Sequence, residues 1–234
     1  MANRYFLPSL PTPGPHELDG DLAHHLGRVL RVDPGTVLRL GDGRGGTALA
    51  TVTAVHKHSL RVEVATAQHE PPPVRRVALA FCVVRSPRVD WLFEHATEVG
   101  IASFQPLWTS RTRAAVERPD RWQRIVQAAA GQCDRAWLPT VHAACALDAF
   151  LRGPLPSRRL LGSAAGQPIT DADRAPGELL LLVGPEGGFG TEELAAVDAA
   201  GFAPRRFGPH ILRTETAALV GTALLLADAT VDAR

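Results

Sequence analysis

The stretch Leu179-Leu-Leu-Leu-Val-Gly-Pro-Glu-Gly-Gly-Phe189 joins a continuous apolar run to a glycine-rich loop, and a helix-favouring segment follows from Thr191. Continuous apolar runs of this length are typical of strands that are buried on both faces of a parallel sheet. Ligands of open α/β sheets bind beyond the carboxyl ends of such strands. We therefore predict an α/β domain in which the loop 184–188 forms part of a ligand site.

The residue types of the loop 184–188 limit the kinds of ligand site that it can form. The adjacent glycines Gly187 and Gly188 would let a ligand approach the backbone amides closely. A structural turn between strand and helix would also explain Gly184-Pro185, but it would not explain Glu186 among glycines. The loop lacks the Gly-Lys-Ser/Thr end of a nucleoside triphosphate loop, so that class of site is excluded.

A second stretch, Phe207-Gly-Pro-His-Ile-Leu-Arg-Thr-Glu-Thr-Ala217, has the same order of Gly-Pro loop and helix. Thr214 is the expected helix cap. Arg213 lies where the helix dipole disfavours a cation, which indicates an anionic partner. The helix 217–229 is apolar nearly all round, so we expect it inside a large core or against a second subunit. Two such loops at neighbouring strand ends would converge on one pocket.

Periodicity divides the chain near residue 70. The N-terminal part predicts a helix over 21–31, with Leu22, His25, Leu26, Val29 and Leu30 on one face. It also predicts strands over 37–40, 47–55 and 59–67, followed by a stiff linker over 68–73. After the linker we expect strands over 77–84, 103–108, 159–161 and 179–183, with helices over 89–99, 118–133, 191–200 and 214–229. The predicted domains are therefore residues 1–70, mostly β, and residues 74–234, a parallel α/β sheet with helices.

Gly41, Gly43 and Gly46 match a dinucleotide-binding GxGxxG pattern. That motif requires a following helix, whose N-terminal amides hold the pyrophosphate. The segment after Gly46 alternates like a strand instead. A glycine-rich hairpin turn is therefore the better interpretation.

Composition limits the class of protein. The chain has 234 residues, 45% hydrophobic and 21% charged, so it is globular, and its net charge is only +1. Residues 74–135 nevertheless carry ten Arg against six Asp and Glu, and every basic residue of the chain except Lys57 is arginine. This segment suits phosphate contacts, although a GC-rich genome would produce the same bias.

Cysteine usage and hydropathy indicate the compartment. The three cysteines, Cys82, Cys133 and Cys145, lack paired spacing and predict reduced thiols rather than a disulfide framework or a zinc site. We expect no metal, because the nine histidines show no ligand spacing. Neither a signal peptide nor a membrane span is indicated. The sequence thus predicts a cytoplasmic protein.

The segments His24–Arg31 (HHLGRVLR), Thr97–Gly100 (TEVG), Pro106–Arg111 (PLWTSR), VGPEGGF and GPHILRTETAAL resemble the SPOUT class of RNA methyltransferases. Within that class they are most similar to the small-subunit ribosomal RNA methyltransferase E family, over nearly the whole chain. The resemblance implies a small N-terminal PUA-like β-barrel and a C-terminal α/β domain with a deep trefoil knot. It also implies a homodimer through the knotted region, S-adenosylmethionine as cofactor, and methylation of N3 of one uridine in 16S rRNA of the small ribosomal subunit.

The resemblance assigns roles to particular residues. The implied catalytic residues are Arg213, which would stabilise charge on the uracil oxygens, and Glu215, which with Glu186 is a candidate proton acceptor or a structural hydrogen-bond acceptor. The implied cofactor-binding residues are Leu161, Gly184, Glu186, Gly187, Gly188, Gly208, Ile211, Leu212, Thr214 and Ala217. The implied RNA-binding residues are Arg28, Arg31, Arg85, Arg111 and Arg135. Arg28 and Arg31 could equally form salt bridges between the domains.

The chain departs from the family pattern at a few positions. His95 stands where Lys is common, His210 where Arg is frequent, and Gly131 and Ala136 replace polar residues. These departures weaken the RNA contacts more than the cofactor site. Two other functions stay open at this point: a related SPOUT enzyme with another RNA target, and a non-catalytic RNA-binding assembly factor.

Overall fold

The computed structural model describes residues 3–82, 86–112 and 118–227. The chain divides into two compact units, of which the first combines residues 1–72 with 127–138 and the second combines 73–126 with 139–234. Arg85, one of the predicted RNA-binding residues, and the end of the predicted strand 77–84 lie outside the described ranges.

The first unit is built on a six-stranded sheet. Its strands are β1 (Arg4–Phe6), β2 (Gly14–Leu18), β3 (Val37–Gly41), β4 (Gly46–Val55), β5 (Leu60–Val64) and β6 (Gln68–His69). The order is β1-β3-β4-β5-β2, with β6 also paired to β4. Only β1 and β3 run parallel. Alternate residues of β4 and β5, such as Val52 and Val62, are buried in the core of this unit, as the period of two predicts.

Two local expectations for this unit are wrong. The predicted linker begins with a strand, since Gln68 and His69 pair with Thr47 and Gly46. The predicted helix 21–31 is an α-helix only over Gly20–His24 (α1) and continues as a π-helix over His25–Val29. The wider π turn rotates the later residues relative to an α-helical face. Leu26 stays buried, whereas Val29 and Leu30 are exposed.

The interpretation of Gly41, Gly43 and Gly46 as a hairpin turn is confirmed. β3 and β4 are antiparallel neighbours, with Gly41 opposite Thr47. Gly46 N donates to Asp42 Oδ1 at 2.9 Å, which closes the turn. Because β4 occupies the place of the required helix, no dinucleotide-binding loop is formed here.

The segment 127–138 gives the first unit a buried charge cluster. Arg4 Nε donates to Asp134 Oδ1 at 3.0 Å, and Arg4 also contacts Glu70 at 3.2 Å. Arg39 pairs with the second oxygen of Asp134. Trp137 Nε1 donates to the backbone carbonyls of Glu70 and Pro71. Hydrogen bonds and ion pairs therefore join this segment to both ends of the N-terminal part.

The second unit is an all-parallel seven-stranded sheet with helices, as predicted. Its strands are β7 (Arg75–Cys82), β8 (Ser103–Trp108), β9 (Thr140–Val141), β10 (Cys145–Ala146), β11 (Arg159–Pro168), β12 (Gly177–Val183) and β13 (Ala203–Arg206). Its helices are α2 (Ser86–Val99), α3 (Pro119–Gln132, whose last residues belong to the first unit), α4 (Leu147–Leu151), α5 (Thr191–Ala199) and α6 (Thr214–Leu226). The strand order is β10-β8-β7-β12-β11-β13, with β9 beside β8.

Both faces of this sheet are covered. Leu179 and Leu181 of β12 pack in one cluster with residues of α2, α3 and α6, while Leu180 and Leu182 pack in another with residues of α4 and α5. Burying each such leucine contributes about 1.5–3 kcal/mol. This explains why the run 179–183 shows no alternation of apolar and polar residues. The described helix α6 ends at Leu226, and its buried apolar residues Ala218 and Leu225 belong to the first of these clusters.

The buried thiol of Cys82 provides a test of this core. Burial, with the negative charge of Glu193 adding to it, raises the pKa of Cys82 to about 12. The thiol should therefore stay protonated and resist iodoacetamide at pH 8 until the protein is unfolded, while the half-buried Cys133 and Cys145 react earlier. Since the unfolded thiol ionises first, stability should also fall as pH rises above about 9. Mass spectrometry of native and denatured samples checks the labelling. Native labelling of Cys82 as fast as of Cys145 would contradict it.

Candidate functional site

The predicted ligand site is formed by loops at the carboxyl ends of three neighbouring strands. β11 lies between β12 and β13, with Leu161 opposite Leu182 on one side and Pro204 on the other. Each strand then leads into a segment of the candidate site. These are the glycine-containing continuation of β11 from Gly162, the loop 184–190 after β12, and the loop 207–213 after β13.

Close packing at two glycines holds the first and third segments together. A Cβ atom placed on Gly162 would lie 2.9 Å from the ring of Phe207, and one placed on Gly221 of α6 would lie 2.8 Å from it. Both distances are too short for a real carbon contact. The aromatic ring of Phe207 therefore lies against the backbone of β11 and of α6, which fixes the start of the loop 207–213.

The loop 184–190 is a tight turn anchored from outside. Gly188 N donates to Pro185 O at 2.8 Å, and Gly188 has φ +69°, a conformation that favours glycine. Arg111 Nη1 donates to Gly187 O at 2.5 Å. The loop ends at Gly190, whose N–H donates to Glu193 Oε2 at 2.8 Å. The backbone conformation of the loop is thus fixed by contacts at its middle and its end.

Glu193 is a structural residue of the site that sequence reasoning missed. Its other oxygen accepts from Ser110 N at 2.7 Å, so one carboxylate joins the ends of β8 and of the loop 184–190. Burial alone would raise the pKa of Glu193, but the hydrogen bonds from Gly190 and Ser110 outweigh it and keep the pKa below its usual value. A signal was present in the sequence, since Glu at the third position of a helix typically bonds back to the cap residue.

A hydrogen bond joins the second and third loops. Thr214, the first residue of α6, is buried, and its Oγ1 donates to Gly184 O at 2.9 Å. The preceding residue, Arg213, occupies the cap position, so the prediction of Thr214 as the cap is wrong by one residue. Arg213 and Ile211 are exposed. Gly208 has no atom within 4 Å of the place where a Cβ would stand. The predicted cofactor residues of the two loops are therefore brought together, with open space beside them.

Arg88 connects the two candidate carboxylates, and sequence reasoning missed it as well. From the first turn of α2, its Nη1 donates to Glu186 Oε1 at 2.5 Å and its Nε lies 3.4 Å from Glu215 Oε1. Glu186 is largely exposed, whereas the Glu215 side chain is only 9% exposed. The other oxygen, Glu215 Oε2, is buried and has no hydrogen-bond partner among the described residues. Nothing local in the sequence marks Arg88, since Glu186 lies 98 positions away.

A cavity of about 610 Å³ lies beside the strand ends. Its lining is largely apolar and includes Leu161, Phe189, Leu194, Phe202 and Pro204, with Asp198 as the charged member. The volume falls in the usual range for small-molecule sites. Leu161 is the predicted cofactor residue that lines it, and Phe189 directly follows the glycines of the loop 184–190.

The predicted RNA-binding arginines are spread over the two units. Arg28 and Arg31 are exposed in the first unit, and Arg31 has φ +52°. Arg135 is half-buried in the same unit, and burial lowers its pKa to about 10, so it remains cationic at neutral pH. Arg111 is exposed in the second unit, where it contacts Gly187.

The departures from the family pattern have local structural explanations in three cases. A Cβ on Gly131 would lie 2.5 Å from the carbonyl oxygen of Arg4, so no side chain fits there. Ala136 is buried and its carbonyl accepts from Gly45 N. The ring of His95 stacks on Trp91 with centroids 4.5 Å apart. His210 is exposed, and nothing in the structure explains it.

The described residues form neither a metal-binding cluster nor a membrane-spanning helix. No group of three or more His, Cys, Asp or Glu side chains in 3–82, 86–112 and 118–227 is arranged to hold a metal ion. Within the same ranges, every helix is too short or too polar to cross a membrane.

The hydroxyl of Thr214 provides a direct test of the contact between the loops. Thr214→Val keeps the shape but removes the donor to Gly184 O, and we expect a loss of about 1–3 kcal/mol in the free energy of unfolding. Hydrogen exchange in the loop 184–190 should accelerate. Thr222→Val is the matched control, because the equally buried Thr222 hydroxyl donates within its own helix, to Ala218 O. Equal losses in the two variants, measured by urea unfolding, would contradict a special role for Thr214.

Two family models match the chain. A model described as an RNA methyltransferase domain matches residues 70–226, and a model described as an RNA methyltransferase PUA domain matches residues 18–65. Curated relatives named ribosomal RNA small subunit methyltransferase E are similar over most of their length. The protein of Mycobacterium bovis is 34% identical, over 94% of this chain and 89% of its own. The protein of Synechocystis is 34% identical, over 86% and 69%.

Solved structures agree with these matches. A methyltransferase from Legionella pneumophila, in complex with the bound cofactor SAM, superposes with a TM-score of 0.89 at 29% identity, covering 97% of this chain and 98% of that chain. The ribosomal RNA small subunit methyltransferase E of Neisseria gonorrhoeae, bound to S-adenosyl methionine, superposes with a TM-score of 0.86 at 29% identity, covering 97% of each. By sequence and by fold, the chain belongs to the ribosomal RNA small subunit methyltransferase E family.

Proposed function

We propose that this protein transfers a methyl group from S-adenosylmethionine to N3 of a specific uridine in 16S rRNA of the small ribosomal subunit. The observation that carries the proposal is the contact between the two glycine-proline loops, made by the Thr214 hydroxyl on the Gly184 carbonyl. It brings the candidate cofactor residues and the candidate catalytic residues to one edge of the sheet. The similarity to two relatives that contain the bound cofactor supports the same reading.

The residues present fit this cofactor. Gly188 and Gly208 have no atom within 4 Å of a Cβ position, so there is open space for a ligand beside both residues. Ile211 of the loop 207–213 is 89% exposed, so its side chain is free to contact a ligand. The residues that would hold the cofactor are Leu161, Gly184, Glu186, Gly187, Gly188, Gly208, Ile211, Leu212, Thr214 and Ala217. When bound, S-adenosylmethionine supplies a methyl group activated on a sulfonium.

The remaining chemistry belongs to this chain. Uracil N3 carries a proton at neutral pH, so the site must favour the anion. Arg213, exposed at the cap of α6, stabilises the charge that develops on the uracil oxygens. Glu215 and Glu186 are the candidates to accept the N3 proton. Glu215 is the stronger candidate, because its buried Oε2 has no hydrogen-bond partner among the described residues and is therefore available to accept a proton.

RNA binding is assigned to both parts of the chain. Residues 1–70 form a PUA-like β-barrel that holds RNA, and Arg28, Arg31 and Arg135 contact phosphates there. Residues 74–234 form the methyltransferase domain, in which Arg85 and Arg111 contact RNA near the target base. The same domain folds as a deep trefoil knot and forms a homodimer through it, and the enzyme works in the cytoplasm. Light scattering of the purified protein tests the dimer.

The decisive experiment is radiolabelled methyl transfer to unmodified small ribosomal subunits and, separately, to protein-free 16S rRNA. Digestion and mass spectrometry then locate the label. A 3-methyluridine product would support the proposal, and the comparison of the two substrates would show whether the assembled subunit is needed. Transfer to another nucleotide or another RNA would overturn the assigned target. Absence of both transfer and cofactor binding by calorimetry would favour a non-catalytic assembly factor.

A further inference from the structure

The cluster of Arg88, Glu186 and Glu215 has features of a prepared site rather than of a surface ion pair. One guanidinium serves two carboxylates, one on the loop 184–190 and one on α6. Arg88 is 38% exposed, but the Glu215 side chain is almost fully enclosed. Burying a carboxylate is costly unless its oxygens are paired. Glu215 Oε1 has Arg88, whereas Oε2 is paired with nothing in the described part of the chain.

An enclosed carboxylate oxygen that has no donor among the described residues can accept a hydrogen bond from a bound molecule or a water. The cluster lies beside the loops that Thr214 joins, since Glu215 follows Thr214 directly and Glu186 is two residues from Gly184. The missing donor would therefore come from a molecule bound at this edge of the sheet. Two molecules of the proposed reaction carry N–H donors: the target nucleobase, at N3, and the cofactor, at its ammonium group and its adenine amino group.

Building on the proposed function, we propose that Arg88 is a positioning residue of the methyl-transfer site. It holds Glu215 through Oε1 so that Oε2 accepts an N–H donor from the bound base or the cofactor. Through Glu186 it fixes the loop 184–190 relative to the start of α6 at the same time. Arg88 itself touches neither reactant. A misplacement of about 1 Å at a reacting group can reduce turnover about 100-fold, which is the scale of effect expected here.

The matched control is Arg76, which lies in β7 near the amino end of that strand. Its Nη2 donates to Glu178 Oε1 at 2.8 Å, across the amino ends of β7 and β12. Its side chain is 45% exposed, close to the value for Arg88. Arg88→Met and Arg76→Met therefore remove the same kind of group from the same unit, one at the candidate site and one away from it.

Single-turnover methyl transfer is measured for four variants and compared with wild type and Arg76→Met. The four variants are Arg88→Met, Arg88→Lys, Glu215→Gln and the double variant Arg88→Met/Glu215→Gln. We expect Arg88→Met to lower the rate about 100-fold, with partial recovery in Arg88→Lys. The double variant should be no slower than Glu215→Gln alone, because residues that act as a unit are not additive. Arg76→Met should behave as wild type. Thermal unfolding shows whether each variant is folded, and Arg88→Lys serves if Arg88→Met is not.

Calorimetry with S-adenosylmethionine identifies the donor. Weaker cofactor binding in both Arg88→Met and Glu215→Gln would indicate a donor on the cofactor, and unchanged binding with a slower rate would indicate the base. The proposal is overturned if Arg88→Met matches Arg76→Met in both measurements, or if the losses of the single variants multiply in the double variant. Failure of the proposed function would appear separately, as a wild-type protein that transfers no methyl group. In that case the cofactor affinities of Arg88→Met and wild type, compared by calorimetry, still test the role of Arg88.

Discussion

Replacing Arg213 with alanine is expected to lower the rate of methyl transfer about 100- to 1000-fold, the usual cost of removing one donor from a developing negative charge. Affinity for S-adenosylmethionine should stay within severalfold of wild type. The expectation follows from the placement of Arg213, whose backbone caps α6 while its side chain is exposed. Its backbone carbonyl accepts from Ala217 N at 2.7 Å, a bond that alanine retains.

The measurement combines single-turnover transfer with calorimetric titration of the cofactor. Arg213→Lys should recover part of the rate, because it keeps the charge without the planar pair of donors. Arg152→Ala is a suitable control, since Arg152 forms an exposed pair with Asp148 away from the candidate site. Equal losses of rate and of cofactor affinity in Arg213→Ala would make Arg213 a binding or folding residue.

Replacing Asp134 with alanine is expected to cost the first unit about 3–5 kcal/mol of stability, the range for breaking a buried ion pair from one side. The Arg4 side chain is only 5% exposed and would keep Glu70 as its acidic partner, which is itself 40% exposed. Arg39 would lose its partner in the same cluster. Asp134 also has φ +61°, where alanine is strained.

Asp134→Asn separates the two contributions, because asparagine tolerates this backbone conformation but lacks the charge. It should lose most of the stability that alanine loses. Asp148→Ala removes the carboxylate of an exposed pair and should cost at most about 1 kcal/mol. Urea unfolding of the three variants is the test. An unfolding midpoint of Asp134→Asn equal to that of wild type would show that the cluster does not stabilise the unit.

The sequence was most informative where structure is decided by neighbours in the chain. The buried strand over 179–183 and the helix predicted over 118–133 follow from periodicity and are confirmed, the latter as α3. The π-helix over 25–29 was not predictable in this way, because its wider turn does not follow the α-helical period from which a helix over 21–31 was predicted. β6 was missed for a similar reason, since its two residues become a strand only by pairing with β4.

In the candidate site too, the residues marked by local sequence patterns could be predicted, and those held by distant contacts could not. Glycines and the helix cap mark the two loops, so Gly184, Gly188 and Thr214 could be singled out from local patterns. Arg88 and Ser110 could not, because their partners lie 98 and 83 positions away and only the parallel order of the strands brings them close. The sequence therefore indicated where a ligand site would be, but not which side chains hold its parts in place.

The first unit combines residues 1–72 with the later segment 127–138, and the second unit begins between them at residue 73. This order affects how the chain folds during synthesis. When residue 72 leaves the ribosome, Asp134 and Trp137, which pair with Arg4 and Glu70, have not yet been made. At about 5–20 residues per second, the ribosome needs several more seconds to supply them. During that interval Arg4 of the nascent N-terminal sheet has Glu70 as an acidic partner but lacks Asp134. Its final stability is reached only after the chain has passed residue 138.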